Sequence, residues 1–251
     1  MGILNVTPDS FSDGGDFISV EAACQRAEVM VSEGVDIIDV GGESTRPGAE
    51  VVGDAEELAR VIPVIRALRS RFDVPISIDT TKPAVMQAAC AAGASMINDV
   101  NALRSPGAIE AARDSGATVC LMHRQGTPAS MQVAPHYDDV VADVTAFLGE
   151  RVAACVAAGI DADRLVLDPG IGFGKNLEHN LALLAALRPL CAGRYPVLIG
   201  ASRKSMFGAL LGRPVDQRLA ASLAVAAVAV FQGVAIVRAH DIRATVDAVA
   251  V

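Results

Sequence analysis

The stretch PISIDTTKPAVMQAACAAGASMINDV, residues 75–100, contains two short apolar runs with a polar loop and a helix-forming segment between them. The runs PISID (75–79) and MINDV (96–100) are continuously apolar and do not alternate with polar residues. Continuous apolarity is typical of strands that are covered on both faces, as in a parallel sheet. This stretch therefore predicts a strand–helix–strand unit with parallel strands.

The same unit recurs along the whole chain. Six more apolar runs are present, namely GILNV (2–6), DIIDV (36–40), TVCLM (118–122), RLVLD (164–168), PVLIG (196–200) and VAIVR (234–238). Most are followed by a polar loop and a segment with helical periodicity, for example residues 20–34, 55–72 and 180–190. Eight repeats without a linker predict an α/β fold, a (β/α)₈ TIM barrel, in a single domain over residues 1–251. A doubly wound open sheet is the alternative, and periodicity alone leaves it open.

Composition narrows the classes of function. The formal net charge is -8, so a nucleic-acid-binding surface is not expected as the main role, and an anion site must concentrate its cationic groups locally. The five cysteines are scattered without a CxxC pair. Free thiols in a reducing compartment are therefore expected, and a disulfide framework or a thiolate zinc site is not.

No membrane or export segment is expected. The start lacks a basic region that leads into an apolar one, as a secretory signal requires. The most apolar stretch, residues 219–238, is alanine-rich and is interrupted by Gln232 and Gly233. A buried helix followed by a strand explains it better than a membrane span does, and we expect a cytoplasmic protein.

Polar side chains lie at or just past the ends of most apolar runs. They are Asn5, Asp39, Asp79, Asn98, Asp99, His123, Asp168, Arg238 and His240. Any one of them could cap a helix or brace a loop, but capping residues belong at the helix starts further along the chain. In a barrel the strand ends all open onto one face, where active sites are built. Together these residues predict a functional site on that face.

The side chains in this set suggest the class of ligand. Asp79, Asn98 and Asp168 can accept hydrogen bonds from a flat polar heterocycle that is rich in N–H donors. Cationic groups that suit a phosphate follow the last two runs: Lys204, Arg238 and His240. STRPG (44–48) adds a hydroxyl and a guanidinium. We therefore expect a donor-rich heterocycle that carries a phosphate or pyrophosphate.

Eight segments together resemble the dihydropteroate synthases, a family of pterin-binding enzymes. They cover nearly the whole chain in order: NVTPDSFSDGG (5–15), IIDVGGESTRPGA (37–49), ISIDTTKP (76–83), INDV (97–100), LMH (121–123), LDPGIGFGK (167–175), SRKSMFG (202–208) and VRAHD (237–241). The resemblance implies a TIM barrel that is usually a homodimer. It also implies Mg²⁺-dependent condensation of p-aminobenzoate with 6-hydroxymethyl-7,8-dihydropterin pyrophosphate, which gives dihydropteroate for folate synthesis.

The resemblance also implies roles for individual residues at the pterin. The family's pterin-edge positions correspond to Asp79, Asn98 and Asp168. Lys204 would lie on the carbonyl side of the ring, with Met122 and Phe173 near its faces.

For the anion, the metal and the second substrate, the resemblance implies further roles. Asn5 corresponds to the amide that ligates Mg²⁺ beside the pyrophosphate, and the rest of the anion site corresponds to Thr45, Arg238 and His240. The p-aminobenzoate pocket corresponds to Phe11, Thr45, Arg46, Pro47 and Ser205. In the family the loops after the first two strands close over the substrates, so Phe11 would form a wall for the aromatic amine.

An arylamine is a weak nucleophile that needs no strong base, so the difficult step is breakage of the pterin-methylene C–O bond. Mg²⁺, Arg238 and His240 would offset the charge that accumulates on the pyrophosphate. Asp79 would stabilise positive charge in the pterin, and Lys204 completes the expected catalytic set. These roles predict a dissociative, S_N1-like path.

The sequence also leaves other functions open. GIGFGK (170–175) is not a P-loop, because Pro169 stands where that motif needs glycine and Asn176 where it needs Ser or Thr. A pterin-dependent methyltransferase acting with a corrinoid partner, a non-catalytic pterin-binding protein and a Schiff-base aldolase that uses Lys204 remain as alternatives. The chain also departs from the family pattern at Arg124–Gln125 and at Ala239, and family members normally carry a short segment before the first strand.

Overall fold

The structure of the chain is a computed structural model, and it describes residues 1–6, 16–43, 52–126, 131 and 135–251, with side chains from residue 20 onward in the first helix. Eight strands are formed: β1 Gly2–Asn5, β2 Ile38–Gly41, β3 Ile76–Asp79, β4 Met96–Asp99, β5 Thr118–Met122, β6 Leu165–Asp168, β7 Leu198–Ile199 and β8 Ile236–Val237. All eight overlap the predicted apolar runs.

Ten helices are described between and after these strands. They are α1 Asp16–Ser32, α2 Asp54–Arg71, α3 Pro83–Ala92, α4 Ala108–Ser115, α5 Val140–Ala157, α6 Leu177–Ala185, α7 Leu187–Cys191, α8 Ser205–Leu211, α9 Leu219–Phe231 and α10 Ile242–Ala250. At least one helix therefore lies in each connection from one strand to the next.

The strands close into a barrel. β1 to β6 pair in chain order, β7 pairs with β8, and every pair is parallel. Parallel bridges between Leu167 and Val197 and between Gly2 and Ala239 join the two sheets at both seams. The predicted TIM barrel is therefore confirmed, and the open sheet is excluded because its two edge strands would be unpaired.

Apolar side chains pack on both sides of the barrel wall. Outside, the first half of the chain buries residues such as Val61, Ile65 and Leu68 of α2 against strand residues such as Ile78. Inside, a smaller cluster fills the barrel interior with Met1, Met96, Cys120, Val166 and Leu198. Burial on both faces explains why the strand sequences are continuously apolar.

Of two predictions about local structure, one is wrong and one is confirmed. The helix expected over 180–190 is two helices, α6 and α7, that meet at Ala186. Pro189 explains the break, since its ring would clash with the carbonyl of Ala185 in a continuous helix. The stretch 219–238 forms α9 and then β8, as predicted. Within the described residues, no helix combines the length and apolarity needed to cross a membrane.

The strand register creates a row of residues at the C-terminal end of the barrel. Asn5 pairs with Gly41, Gly41 with Asp79, and Asp79 with Asn98. Gly41 has no side chain in this row, and a Cβ atom built on it would be in van der Waals contact, at 3.6 Å, with both Asn5 Oδ1 and Asp79 Cβ. The polar groups of β1, β3 and β4 consequently lie at one level of the barrel.

Candidate active site

Arg238 links two carboxylates across the barrel. Its Nε donates to Oδ2 of Asp39 over 2.6 Å, and its Nη2 donates to Oδ2 of Asp79 over 2.8 Å. Asp39 is fully buried and Asp79 nearly so. One guanidinium therefore serves two carboxylates that come from β2 and β3, and the three groups carry a formal charge of −1 when both carboxyls are ionised.

Asn98 joins the same network. Its Nδ2 donates to Asp39 Oδ2 over 3.1 Å, so a single oxygen of Asp39 accepts from both Asn98 and Arg238. The other oxygen, Oδ1, is buried and has no hydrogen-bond partner among the described residues. Asp39 thus holds in place two side chains that the sequence assigned to the ligand.

Asp168 lies on β6, four strands around the barrel from Asp39 on β2. It ends β6, is buried, and pairs in register with Met122 at the end of β5. Its Oδ1 accepts from the backbone N of Gly170 over 2.7 Å. Met122 is also buried, so it presents an apolar surface beside this carboxylate.

Lys204 lies directly before α8 and interacts electrostatically with Asp168. Its Nζ is 4.0 Å from the centroid of the Phe173 ring, which is a cation–π contact. A Cβ atom on Gly172 would lie 3.0 Å from Lys204 Cδ, so the absence of a side chain there lets the lysine lie against the turn. The structure therefore brings together Lys204 and Phe173, which the sequence placed at the same ring.

Burial changes the protonation of these groups. It raises the pKa of Asp79 to about 7, against the opposing charge of Arg238 and with the help of Asp39. It also raises the pKa of Asp168 to about 6 and lowers the pKa of Lys204 to about 8, where the charge of Arg238 adds to the effect. Burial disfavours the charge of Arg238 too, but Asp39 and Asp79 raise its pKa above the ordinary value. Several clustered groups with perturbed pKa values are typical of a functional site.

His240 and Ser205 lie beside this network. The Nδ1 of His240 is 3.0 Å from Oγ of Ser202, in the loop between β7 and α8. Ser205 is exposed at the first residue of α8, directly after Lys204. Both residues border the part of the barrel where Lys204 and Arg238 lie.

Four predicted residues fall outside the described part of the chain. They are Phe11, Thr45, Arg46 and Pro47, so the structure leaves their predicted roles untested. Asn5 is described and is half-buried at the end of β1. Within the described ranges, no group of three or more His, Cys, Asp or Glu side chains is placed to hold a metal ion.

Two further strand-end residues, Asp99 and Asp39, have structural contacts. Asp99 braces its own loop, because its two oxygens accept from the backbone N of Asn101 and of Leu103 over 2.7 and 2.8 Å. Asp39 lies at the end of an apolar run, but the sequence pattern assigns it no role, so its central position in the network is a finding of the structure. The signal was its place in DIIDV, one strand away from Asp79.

Comparison with known proteins agrees with this geometry. A family model described as pterin binding enzyme matches residues 1–240. The chain is 54% identical to the dihydropteroate synthase of Escherichia coli (strain K12) over 251 residues, which is all of this chain and 89% of that protein. The chain belongs to the dihydropteroate synthase family of pterin-binding enzymes.

Solved structures of dihydropteroate synthases share the fold closely. The Yersinia pestis dihydropteroate synthase with a sulfonamide drug complex superposes with a TM-score of 0.94 at 53% identity, and covers 100% of this chain and 91% of that chain. The Xanthomonas albilineans dihydropteroate synthase in complex with 7,8-dihydropteroate gives 0.90 at 51% identity, covering 100% and 90%. The expectation of a transferase from this family on a TIM barrel is confirmed.

Proposed function

We propose that the chain condenses p-aminobenzoate with 6-hydroxymethyl-7,8-dihydropterin pyrophosphate, and so makes 7,8-dihydropteroate and pyrophosphate for folate synthesis. The observation that carries this proposal is the direct contact between Asp79, a residue proposed for the pterin, and Arg238, a residue proposed for the pyrophosphate. The bond that joins pterin and pyrophosphate would then lie where the two residues meet.

The pterin would be held by its hydrogen-bonding edge. Asp79 and Asp168 offer carboxylate oxygens to ring and amino N–H groups, and Asn98 offers both an acceptor and a donor. Lys204 would donate to the ring carbonyl from its position over Phe173. Met122 lies in register with Asp168 and would contact a ring face.

The pyrophosphate would be held by Arg238, with His240 and Thr45 as further donors. Arg238 is held by Asp39 and Asp79 from one side, which fixes the orientation of its guanidinium before a ligand arrives. A donor that is already oriented stabilises the charge of a leaving group without reorganisation during the reaction. This arrangement favours departure of pyrophosphate as the step that the site accelerates.

The reaction would follow a dissociative path. As the C–O bond breaks, its electron pair leaves with the pyrophosphate and positive charge spreads into the dihydropterin. Asp79 would lie beside the ring, where its carboxylate would stabilise that charge. The arylamine would then attack the methylene carbon and lose its proton to solvent or to the departing anion.

Magnesium is part of the proposal through Asn5. Mg²⁺ commonly takes only one or two ligands from the protein and completes its shell with waters and phosphate oxygens. The amide oxygen of Asn5 is a hard ligand, and it lies at the end of β1 beside Gly41, which has no side chain. When bound, Mg²⁺ would offset charge on the pyrophosphate.

For p-aminobenzoate, the proposed residues are Phe11, Thr45, Arg46, Pro47 and Ser205. Ser205 is the described member, and its position next to Lys204 would place the second substrate beside the pterin. The aromatic amine would then approach the methylene carbon from the α8 side.

We also propose a cytoplasmic homodimer. α8, α9 and the segment between them carry exposed apolar side chains, which are Leu210, Leu211, Val215, Leu219, Val228, Val230 and Phe231. Phe231 is 80% exposed, which is unusual for a large aromatic residue. Sedimentation of the chain and of Phe231→Asp tests this, since a dimer through this surface should weaken in the variant.

Incubation with the pterin pyrophosphate, p-aminobenzoate and Mg²⁺ tests the activity. We expect dihydropteroate and pyrophosphate in equal amounts. Absence of product, together with methyl transfer from methyltetrahydrofolate to a corrinoid protein, would instead favour the methyltransferase alternative.

A further inference from the structure

Lys175 is a buried lysine that the proposed reaction does not use. It is 2% exposed and lies in the turn between β6 and α6, at the end of GIGFGK. Burial lowers the pKa of Lys175 to about 7, against the opposing charge of Asp168. A buried ammonium is costly unless it is paired, and methionine would fill a similar volume at lower cost. The contacts of its Nζ atom are therefore informative.

The ammonium links two loops at the C-terminal end of the barrel. Lys175 Nζ lies 2.9 Å from Nδ1 of His123, which follows β5, and donates to the carbonyl of Phe173 over 3.1 Å. Burial lowers the pKa of His123 to about 3, and the charge of Lys175 adds to the effect, so the imidazole is neutral. Its Nδ1 can then accept the hydrogen bond from the ammonium.

The turn that contains Phe173 is held by backbone and side-chain contacts. Gly170, Gly172 and Gly174 all have positive φ, at 70°, 81° and 64°, and the backbone N of Phe173 donates to the carbonyl of Gly170 over 3.1 Å. Gly170 passes so close to His123 that a Cβ atom would lie 1.8 Å from its carbonyl oxygen. The turn therefore packs directly on His123, the residue that Lys175 also contacts.

The same turn carries the side chain against which Lys204 lies. Lys175 holds the carbonyl of Phe173, and the ring of Phe173 is 4.0 Å from Lys204 Nζ. Lys175 also lies close enough to Asp168 to favour the ionised form of that carboxyl. One buried lysine thus contacts the turn that carries Phe173 and interacts with Asp168, two residues proposed for the pterin.

We propose that Lys175 is a positioning residue for the pterin end of the site, because its contacts with His123 and Phe173 fix the ring against which Lys204 is held. This inference rests on the proposed function. It predicts that Lys175 acts on pterin binding through Lys204 and leaves the p-aminobenzoate side unaffected.

The chain has only three lysines, Lys82, Lys175 and Lys204, which permits a direct test. Protein labelled with ¹³C at lysine Cε gives three signals, and Lys175→Met and Lys82→Arg assign them. We expect Lys175→Met to shift the Lys204 signal in the ligand-free protein and to reduce its response to the pterin pyrophosphate. A Lys204 signal identical to that of the wild type, in a variant with unchanged circular dichroism, would overturn the inference.

Steady-state kinetics provide the second readout. We expect Lys175→Met to raise KM for the pterin pyrophosphate by about tenfold or more, as loss of a charged hydrogen bond does, with KM for p-aminobenzoate changed by less than about twofold. Equal increases in both KM values would indicate a general structural role and contradict the inference.

A pair of variants at His123 separates the hydrogen bond from packing. His123→Phe keeps the ring that packs edge-on to Phe147 at 4.9 Å but removes the acceptor, and His123→Asn keeps an acceptor near Nδ1. We expect the Phe variant to reproduce the kinetic effect of Lys175→Met and the Asn variant to recover most of it. If the wild type makes no dihydropteroate, the proposed function fails, but the shift of the Lys204 signal still tests the inference.

Discussion

The Nε atom of Arg238 lies 2.6 Å from Oδ2 of Asp39, so the cation proposed for the pyrophosphate is anchored by a carboxylate that is fully buried. Asp39 Oδ2 also accepts from Asn98, and Asp79 holds the other end of the guanidinium. If Asp79 turns part of its hydrogen bonding to a ligand, Asp39 still keeps Arg238 in place.

Asp39→Asn tests this anchoring. The amide has a similar shape but loses the charge that Arg238 and Asn98 share, so we expect kcat/KM for the pterin pyrophosphate to fall by about 10- to 100-fold. Asp247→Asn, at an exposed position in α10, is the matched control and should be unchanged. An Asp39→Asn variant with wild-type kcat/KM would show that Asp79 alone orients Arg238.

Asp79→Asn separates binding from chemistry. An amide still accepts hydrogen bonds from the pterin edge but cannot balance positive charge in the ring. We expect kcat to fall by about 100-fold or more, with the Kd of the pterin changed much less. Equal losses in kcat and in pterin affinity, measured by single-turnover kinetics and calorimetry, would count against a charge-stabilising role.

Arg238 offers a complementary test. Arg238→Lys keeps a positive charge between Asp39 and Asp79 but loses the planar fork, so it should weaken pyrophosphate binding and leave binding of the bare pterin nearly unchanged. Arg238→Ala is less informative, because it would leave both buried carboxylates without their cation and destabilise the fold. Competition titrations with pyrophosphate and with the bare pterin measure the two effects.

The raised pKa of Asp79 predicts a pH dependence of stability. Its folded value is about 7 and its ordinary value is 3.8, so the folded state binds the proton more tightly than the unfolded state does. The contribution of Asp79 is therefore fully present below about pH 4 and is lost as the pH rises through about 7. We expect the free energy of unfolding of the wild type, relative to Asp79→Asn, to be lower at pH 8 than at pH 5. Urea titrations of both proteins check this, and a difference that does not change with pH would contradict it.

A second ion-pair network, away from the proposed ligand site, is expected to stabilise the fold. Lys82 Nζ contacts both Glu57, which is fully buried in α2, and Glu43. Lys82→Met leaves the Glu57 charge buried without its partner, so we expect a loss of about 3–5 kcal/mol in the free energy of unfolding. The double variant Lys82→Met with Glu57→Leu should recover much of it.

The matched control for this network is an exposed ion pair. Arg71 and Glu21 are 2.8 Å apart, and both are about half exposed. Arg71→Met should therefore change urea stability little. Comparable losses in Lys82→Met and Arg71→Met would mean that burial of Glu57 is not what makes the Lys82 pair important.

The sequence predicted the barrel well because strands buried on both faces must be apolar throughout. It also predicted that Asp79, Asn98 and Asp168 would lie at the same end of the barrel, because the ends of parallel strands open onto one face. The sequence did not predict the break at Ala186, because the helical periodicity of residues 180–190 continues past Pro189. The contacts of Asp39 and Lys175 could not be predicted. Side-chain geometry decides which carboxylate pairs with Arg238 and which loops the buried lysine contacts.

The central claim is that this site accelerates departure of the pyrophosphate. The most direct test is to measure whether the C–O bond of the pterin pyrophosphate breaks before the arylamine attacks. The substrate is labelled with ¹⁸O at the oxygen that bridges the methylene carbon and phosphorus, and is incubated with the chain and Mg²⁺ without p-aminobenzoate. If the C–O bond breaks first, the label should appear in non-bridging positions of recovered substrate, as ³¹P NMR would show. Product formation on later addition of p-aminobenzoate, with the label still entirely in the bridge beforehand, would contradict the dissociative path.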